Sequence, residues 1–212
     1  MNPFLDSFQG RWRAGRLALW GSLAALLALA GAANARGEGA GAGQAAAGQV
    51  GVKETTPMPT RRQMHGAAVL GDRLYVVGGV IGNEQYTAAT HMATILPDSS
   101  LGPWSETTPL PKPRAYIANS TLALNDMIYV IGGIDGLTDE KFNTAIWARP
   151  GPDGSLSAWE ESAPFPGPGL SNLTVVSTPG FLHILGGSTG DRVPTRGVIS
   201  GGMDAQGRAE QQ

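Results

Sequence analysis

The sequence predicts an all-β fold made of repeated antiparallel sheets, and three observations support this prediction. Three glycine pairs recur at a spacing of 54 residues, namely Gly78-Gly79, Gly132-Gly133 and Gly186-Gly187. Each pair ends an apolar stretch with strand-like character, and a tight turn joins that stretch to a similar one before it. No helical period appears after residue 35.

The predicted strands form three units with the order a, b, c and d. In the first unit the four strands lie near residues 66–70, 74–78, 88–96 and 104–108. In the second they lie near 116–124, 127–132, 144–148 and 159–162. The third unit has strands near 173–177, 181–186 and 198–203, and residues 50–56 are interpreted as a strand d that precedes the first unit. Four antiparallel strands in a unit of about 50 residues are typical of a β-propeller blade.

Two tryptophans fall at the same place in their units. Trp104 and Trp159 lie 55 residues apart, and each comes five residues before a proline. We expect a large aromatic side chain on the outer strand to fill the widening space between blades. We also expect each glycine pair to turn the backbone sharply and to let the neighbouring blade approach closely. These residues are therefore predicted to be structural.

Through these motifs the chain resembles the kelch-repeat family. The apolar strand and glycine pair at residues 75–79, followed by Trp104, match its pattern, and so do residues 129–133 with Trp159. The resemblance covers residues 52–212 and implies kelch-type propeller blades, about three in number and part of a ring. Because this family includes binding modules, carbohydrate oxidases and sugar epimerases, the resemblance says little about function.

The family pattern also includes an R-x-x-H sequence at the start of a blade. Arg62 and His65 match it in the first unit, and Arg114 keeps the arginine in the second. In the third unit the expected places hold Gly169 and Asn172, which departs from the pattern.

The first 51 residues differ from the rest of the chain. Three arginines precede the uncharged stretch 17–30, and an Ala-x-Ala sequence at 33–35 follows. This order is typical of a secretory signal peptide, so residues 1–35 are predicted to be cleaved off after Ala35. The alternative is an uncleaved membrane anchor at 17–35. Residues 36–51 are rich in glycine and alanine and are interpreted as a linker. Both alternatives predict an exported protein, periplasmic or extracellular.

Composition excludes several classes of function. The chain has 15 basic and 17 acidic residues and no basic block, so nucleic acid is not an expected partner. It has no cysteine, which excludes disulfides and the cysteine-crosslinked tyrosine that a kelch-type copper oxidase needs. No metal-binding motif and no nucleophile motif is present. We therefore predict no metal, no cofactor and no catalytic residue.

Candidate binding residues lie in the connections between strands. Because chain direction alternates within a blade, the d–a and b–c connections emerge on one face, and such loops usually carry recognition. The candidate ligand-binding residues on this face are Arg62, His65, Glu84, Arg114, Tyr116, Asp135, Glu140 and Asp191. Arginine, tyrosine and carboxylates suit a sugar or an anionic ligand. The alternative for the two arginines is a structural hydrogen bond to loop carbonyls.

The sequence favours an exported kelch-type binding module that engages a protein or a carbohydrate through this face. One alternative is a periplasmic sugar epimerase similar to the kelch-type sialic-acid mutarotases, for which Arg62, Arg114, Glu84 and Glu140 would supply the chemistry. A further alternative is a truncated piece of a longer propeller without a function of its own. Blade faces without a neighbour also predict self-association.

Overall fold

The computed structural model describes residues 52–190 and 193–203. The predicted signal peptide and linker, and the candidate residue Asp191, lie outside the described residues. Among the described residues, no helix is long and apolar enough to cross a membrane. In chain order the strands are β1 (Gly66–Leu70), β2 (Arg73–Val77), β3 (Val80–Ile81), β4 (Gln85–Tyr86), β5 (Thr90–Thr94), β6 (Ser105–Thr107), β7 (Arg114–Ala115), β8 (Thr121–Leu124), β9 (Met127–Ile131), β10 (Ile134–Asp135), β11 (Ala145–Ala148), β12 (Glu160–Glu161), β13 (Thr174–Thr178), β14 (Phe181–Leu185) and β15 (Val198–Gly202).

These strands form three antiparallel sheets in succession. The first sheet has the order β1-β2-β5-β6, the second β8-β9-β11-β12 and the third β13-β14-β15. Two short pairs, β3 with β4 and β7 with β10, lie between the main strands. The all-β fold and the order a, b, c and d of the main strands are therefore confirmed.

The first two glycine pairs lie where neighbouring sheets come close together. Gly78 has a φ of 58°, and a Cβ added there would lie 2.3 Å from the Arg114 carbonyl oxygen. The next amide, Gly79 N, donates a hydrogen bond of 2.8 Å to the same oxygen. Gly133 N donates equally to Leu170 O. These two glycine pairs therefore join the end of strand b to the connection that enters the following sheet, at a distance that a side chain would prevent.

The core lies between the sheets, because alternate residues of a strand point to opposite neighbours. On β9, Ile128 and Val130 belong to the apolar clusters shared with the first sheet. Tyr129 on the same strand packs with Trp147 and with Leu182 of the third sheet. The second sheet is consequently buried on both faces, and this explains why the apolar run of β9 is uninterrupted.

The far face of the third sheet is open to solvent in the described part of the chain. Val176, Phe181 and Val198 are 47%, 50% and 64% exposed on it. The cross-strand register places Val176 beside His183, and Phe181 beside Thr178. The predicted self-association would use this apolar face.

The structure corrects the predicted strand near 50–56. Residues 52–57 carry no strand assignment. They nevertheless occupy the place of an outer strand, since Leu101 N donates to Thr55 Oγ1 and Trp104 Nε1 donates to Thr56 O. A strand assignment needs a hydrogen-bonded neighbour, and none of the described residues supplies a strand c on that side.

One strand boundary and one equivalent position also differ from the prediction. The first strand of the second unit begins at Thr121 instead of residue 116. The cause is a turn, in which Tyr116 has a φ of 61° and Ser120 N donates to Ile117 O. In the third unit, Leu170 occupies the arginine position in place of Gly169, because Leu170 O accepts the hydrogen bond that Arg114 O accepts one unit earlier.

Candidate binding face

The connections that enter strand a and those that follow strand b meet on one side of the sheets, here called the loop face. In the first unit Gln63 pairs with Val80, and in the second Ala115 pairs with Ile134. Ser171 and Ser188 pair in the same way in the third unit. The same contact between the two connections therefore recurs three times and holds them at equivalent positions.

Three residues at equivalent positions of the loop face have left-handed backbone conformations. Met64, Tyr116 and Asn172 have φ values of 56°, 61° and 53°. Tyr116 N donates to Met64 O at 2.9 Å, and Asn172 N donates to Tyr116 O at 3.1 Å. This chain of hydrogen bonds links the three units and holds each residue in a conformation that costs a non-glycine residue on the order of 1–3 kcal/mol.

Backbone strain is concentrated on the loop face. Nine non-glycine residues with positive φ are found in the described chain, and six of them lie here: Met64, Asn83, Glu84, Tyr116, Asp139 and Asn172. The other three, Ser99, Asn125 and Asp126, lie in connections at the opposite side of the sheets. Strained residues that a rigid framework maintains are typical of ligand-binding positions.

An aromatic cleft opens on the loop face. The rings of Tyr86 and Tyr116 lie 6.5 Å apart between centroids and are tilted by 36°. They line a cleft of about 770 Å³ together with Met64, Asp139 and Lys141 from the first two units. From the third unit the lining residues are Ser171, Asn172, Gly187, Ser188, Pro194 and Thr195. Two half-buried aromatic rings beside charged and amide groups can stack on a ligand and orient it by hydrogen bonds.

Arg114 is not part of this cleft. Its side chain is buried, Nη1 donates to Gly132 O at 3.1 Å, and the guanidinium carbon lies 3.7 Å from the centroid of the Phe142 ring. Burial lowers the pKa of Arg114 to about 10, although nearby Glu161 and Asp135 raise it. The side chain remains a cation at neutral pH. These contacts tie strand β7 to the end of β9, as the structural alternative for the arginines predicts.

Arg62 makes equivalent contacts in the first unit. Its Nη1 donates to Gly78 O and Ala89 O, each at 3.1 Å, and Nη2 lies 3.0 Å from His91 Nδ1. Burial, followed by the Arg62 charge, lowers the pKa of His91, and Glu106 opposes this shift. Burial and Arg62 lower the pKa of His65 as well. Arg62 and Arg114 thus both donate to the carbonyl of the first glycine in their pair.

The predicted carboxylates lie in different surroundings. Asp135 is only 2% exposed, lies on β10, accepts from Leu137 N at 2.8 Å and is 3.8 Å from Lys112 Nζ. Glu84 and Glu140 are exposed. Glu140 lines a smaller cleft of about 220 Å³ with Arg114, on the outer side of β10. Of the candidate residues that the structure describes, only Tyr116 lines the aromatic cleft.

The sequence prediction missed several residues of the cleft. Met64 and Lys141 have side chains that give no signal of a special position. Asn172 was noted only as a departure from the family pattern, although asparagine is enriched at positive φ and could have indicated the turn. Asp139 lies in the connection after the second strand b but is not among the predicted candidates. Among the described residues, no group of three or more histidine, aspartate or glutamate side chains is placed to hold a metal ion.

Comparison with known proteins identifies the repeats. The Kelch motif model matches residues 61–89, which run from the loop face through strands β1 and β2 to the second connection. Residues 61–89 therefore carry a kelch motif, and Arg62 and the glycine pair at 78–79 lie inside it.

The chain is also similar in sequence to three curated proteins, two of which have kelch in their names. The chain is 30% identical over 108 residues to spermatocyte protein spe-26 of Caenorhabditis elegans, covering 50% of this chain and 18% of that protein. It is 31% identical over 83 residues to Kelch-like protein terF of Aspergillus terreus, covering 39% and 17%. It is 29% identical over 136 residues to Kelch repeat and BTB domain-containing protein 12 of Danio rerio, covering 59% and 20%. The chain thus spans about a fifth or less of the length of these relatives.

A solved structure shares the fold. The structure of YjhT aligns with a TM-score of 0.59 at 15% identity, over 76% of this chain and 48% of that chain. Sequence identity at this level supports the fold alone. The sheets described here are therefore similar in arrangement to part of a solved structure that is about twice as long as its aligned part.

Proposed function

We propose that this chain is an exported kelch-type binding module that engages a protein or a glycan through its loop face. The observation that carries the proposal is the cleft between Tyr86 and Tyr116. Residues at equivalent positions of successive units have left-handed backbone conformations there. The left-handed turn at Tyr116 is held by hydrogen bonds between successive units and directs a half-buried ring into the cleft. A ligand that stacks on the two rings would use this arrangement.

The contacts of the arginines favour binding over epimerase chemistry. A sugar epimerase of the kind considered from sequence needs arginine and glutamate side chains that are free to meet a substrate. Arg62 and Arg114 instead donate to main-chain carbonyls, and Arg114 is also stacked on Phe142. The side chains that line the cleft include two tyrosines, Asp139 and Lys141. Such a set can recognise a polar ligand by stacking and hydrogen bonding.

Export is a part of the proposal that rests on the sequence of residues 1–35. We expect the chain recovered from outside the cytoplasm to begin at Arg36. Intact-mass measurement of periplasmic or secreted material tests this. Recovery of the chain only in the membrane fraction with its first residues intact would replace the signal peptide by an anchor.

Binding through the loop face is tested by site-specific photo-crosslinking and by a glycan array. A photoreactive phenylalanine analogue replaces Tyr86 in one variant and Asp126, on the opposite side of the sheets, in a matched control. We expect covalent adducts only from position 86 if the ligand is a protein. If it is a glycan, the wild-type chain gives array signals that the Tyr86→Ala and Tyr116→Ala variants lose. No adduct and no array signal, or adducts from both positions alike, would refute the proposal.

A further inference from the structure

The smaller cleft on the outer side of β10, here called the Arg114 cleft, is separate from the aromatic cleft. It has a volume of about 220 Å³, and its lining residues all lie between positions 111 and 161. They belong to the second sheet and to the two connections that meet at its loop face. Only Lys141 lines both clefts. Binding in the Arg114 cleft can therefore be tested without reference to the two tyrosines.

Arg114 presents an incompletely bonded guanidinium to this cleft. The side chain is only 3% exposed, and its Nη1 donates to Gly132 O. Its Nε is buried without a hydrogen-bond partner. No described residue accepts a hydrogen bond from Nη2 or forms an ion pair with the guanidinium. A buried cation with unused donors is costly, so an acceptor that a ligand brings to this edge would stabilise it.

The equivalent arginine of the first unit has a partner that Arg114 lacks. Arg62 Nη2 lies 3.0 Å from His91 Nδ1. His91 and Ile146 each pair with the valine that comes two residues before the glycine pair of their unit. Ile146 therefore stands where His91 does, and its side chain cannot accept a hydrogen bond. The unpartnered Nε is common to both arginines, so the difference between the two units lies at Nη2.

The guanidinium of Arg114 is held rigidly in the cleft. Its central carbon lies 3.7 Å from the centroid of the Phe142 ring, and the hydrogen bond of Nη1 fixes its rotation. Lys112 Nζ lies 5.9 Å from the centroid of the same ring, and its side chain is largely exposed. A preorganised donor beside a flexible cation binds an anion at little cost in conformational entropy.

The charged side chains of the cleft favour a singly charged anion. The lining cations are Lys112, Arg114 and Lys141, and the lining carboxylates are Glu140 and Glu161. Together they leave one net positive charge. Glu161 does not neutralise Arg114 by direct contact, because its Oε1 accepts from Thr144 Oγ1 at 2.6 Å and it forms no ion pair with the guanidinium. A doubly charged anion would be repelled by the two carboxylates more than a monoanion is.

We propose that the Arg114 cleft binds a small organic acid through its single carboxylate. One carboxylate oxygen accepts a hydrogen bond from Arg114 Nη2, and Lys112 and Lys141 supply further positive charge. The apolar part of the acid packs against Phe142 and Ile146, which line the same cleft. The volume of about 220 Å³ is smaller than that of most drug-sized pockets, so the acid has only a few carbon atoms. Nη1 keeps its structural hydrogen bond.

The test uses radiolabelled butyrate and the full-length chain in equilibrium dialysis at constant ionic strength. Butyrate should bind saturably with one molecule per chain, and unlabelled acetate should displace it. Butanol and sulfate should displace it poorly, since the first lacks the charge and the second carries two charges. Arg114→Lys should weaken binding by ~10-fold or more, because the planar donor is lost. The absence of saturable binding would overturn the proposal, as would displacement by sulfate as strong as that by acetate.

A matched pair of exposed glutamates locates the binding site even if Arg114→Lys weakens the fold. Glu160 and Glu161 are neighbours on β12, and only Glu161 lines the cleft. Glu161→Gln should strengthen butyrate binding by ~3-fold or more, because it removes a nearby negative charge, whereas Glu160→Gln should leave binding nearly unchanged. Lys112→Gln should weaken it by ~3-fold. Thermal melts verify that these variants remain folded. Equal affinities of the two glutamine variants would refute the assignment.

Discussion

The indole Nε1 of Trp159 donates a hydrogen bond of 3.1 Å to the backbone oxygen of Thr108. This contact crosses 51 residues of sequence and joins the outer strand of the second blade to the end of the first. The indole ring packs at the same time against both clusters that lie between these blades. One residue therefore combines the packing and the polar contact of the junction.

The two tryptophans should differ in their contribution to stability. Trp159→Ala should lower the free energy of unfolding by roughly 3 kcal/mol, because it removes an aromatic ring packed in two clusters. Trp104→Ala should cost less, since its hydrogen bond to Thr56 lies in an exposed part of the molecule. Urea denaturation measures both values, and Trp159→Phe separates packing from the hydrogen bond. Equal losses for the two alanine variants would contradict the assignment of the core to the inter-blade clusters.

The close approach of neighbouring blades can be measured with a matched pair of glycines. Gly78 and Gly71 have similar φ values, 58° and 62°, but a Cβ at Gly78 would lie 2.3 Å from Arg114 O, whereas one at Gly71 meets nothing within 4 Å. Gly71→Ala should therefore cost only the backbone strain, about 1 kcal/mol. Gly78→Ala should cost clearly more, because the next blade must also move. If both variants have the same melting temperature, Gly78 serves only as a turn residue and is not a site of blade contact.

Arg114 should act through its shape as well as its charge. Arg114→Lys keeps the cation but loses the planar group that stacks on Phe142 and donates to Gly132 O. We expect a loss of about 1–3 kcal/mol in the free energy of unfolding. The exposed Arg61→Lys serves as a control and should have little effect. An unchanged stability of the Arg114→Lys variant would argue for a role in ligand binding.

The stability of the fold should fall on acidification because of His91. Burial and the Arg62 charge lower the pKa of this histidine below its ordinary value of 6.5, so the unfolded chain binds the proton more readily than the folded one. The stability that neutral His91 contributes is complete above pH 6.5 and declines as the pH falls towards the folded pKa. Protonation of Nδ1 would also remove the acceptor for Arg62, 3.0 Å away.

Thermal melts between pH 7.5 and pH 5 measure this effect. His91→Gln should flatten the pH dependence, since its amide oxygen can accept from Arg62 without titrating. A residual slope is expected from His65, whose pKa burial lowers in the same direction. A variant with the full wild-type slope would show that His91 is not responsible.

The framework could be predicted because it depends on glycine pairs and apolar alternation. Gly78, Gly132 and Gly186 each follow directly after a second strand, at Val77, Ile131 and Leu185. Both features are local, so each unit carries its own evidence, and three copies in phase reinforce one another. The tryptophan positions followed from the same repeat.

The site was harder to predict because it depends on backbone conformation and on contacts between units. Tyr116 and Met64 are not residues that normally indicate a left-handed turn, and their conformation follows from hydrogen bonds between successive units. Arginine is a residue type typical of binding sites. The burial of Arg114 and its stacking on Phe142 cannot, however, be read from the sequence. In the third unit the arginine position was predicted one residue too early, at Gly169. Spacing alone could not show that Leu170 O is the equivalent of Arg114 O.

The melting temperature of a Tyr116→Asn variant tests the central claim most directly. The equivalent position of the third blade already holds Asn172, with a φ of 53° against 61° for Tyr116. Asparagine accepts this conformation more readily than tyrosine does. If Tyr116 is kept for a ligand, the variant should melt at the wild-type temperature or above it while binding through the loop face is lost. A melting temperature lower by about 4 °C or more, roughly 1 kcal/mol for a domain of this size, would show that the ring stabilises the fold and would contradict the proposed binding face.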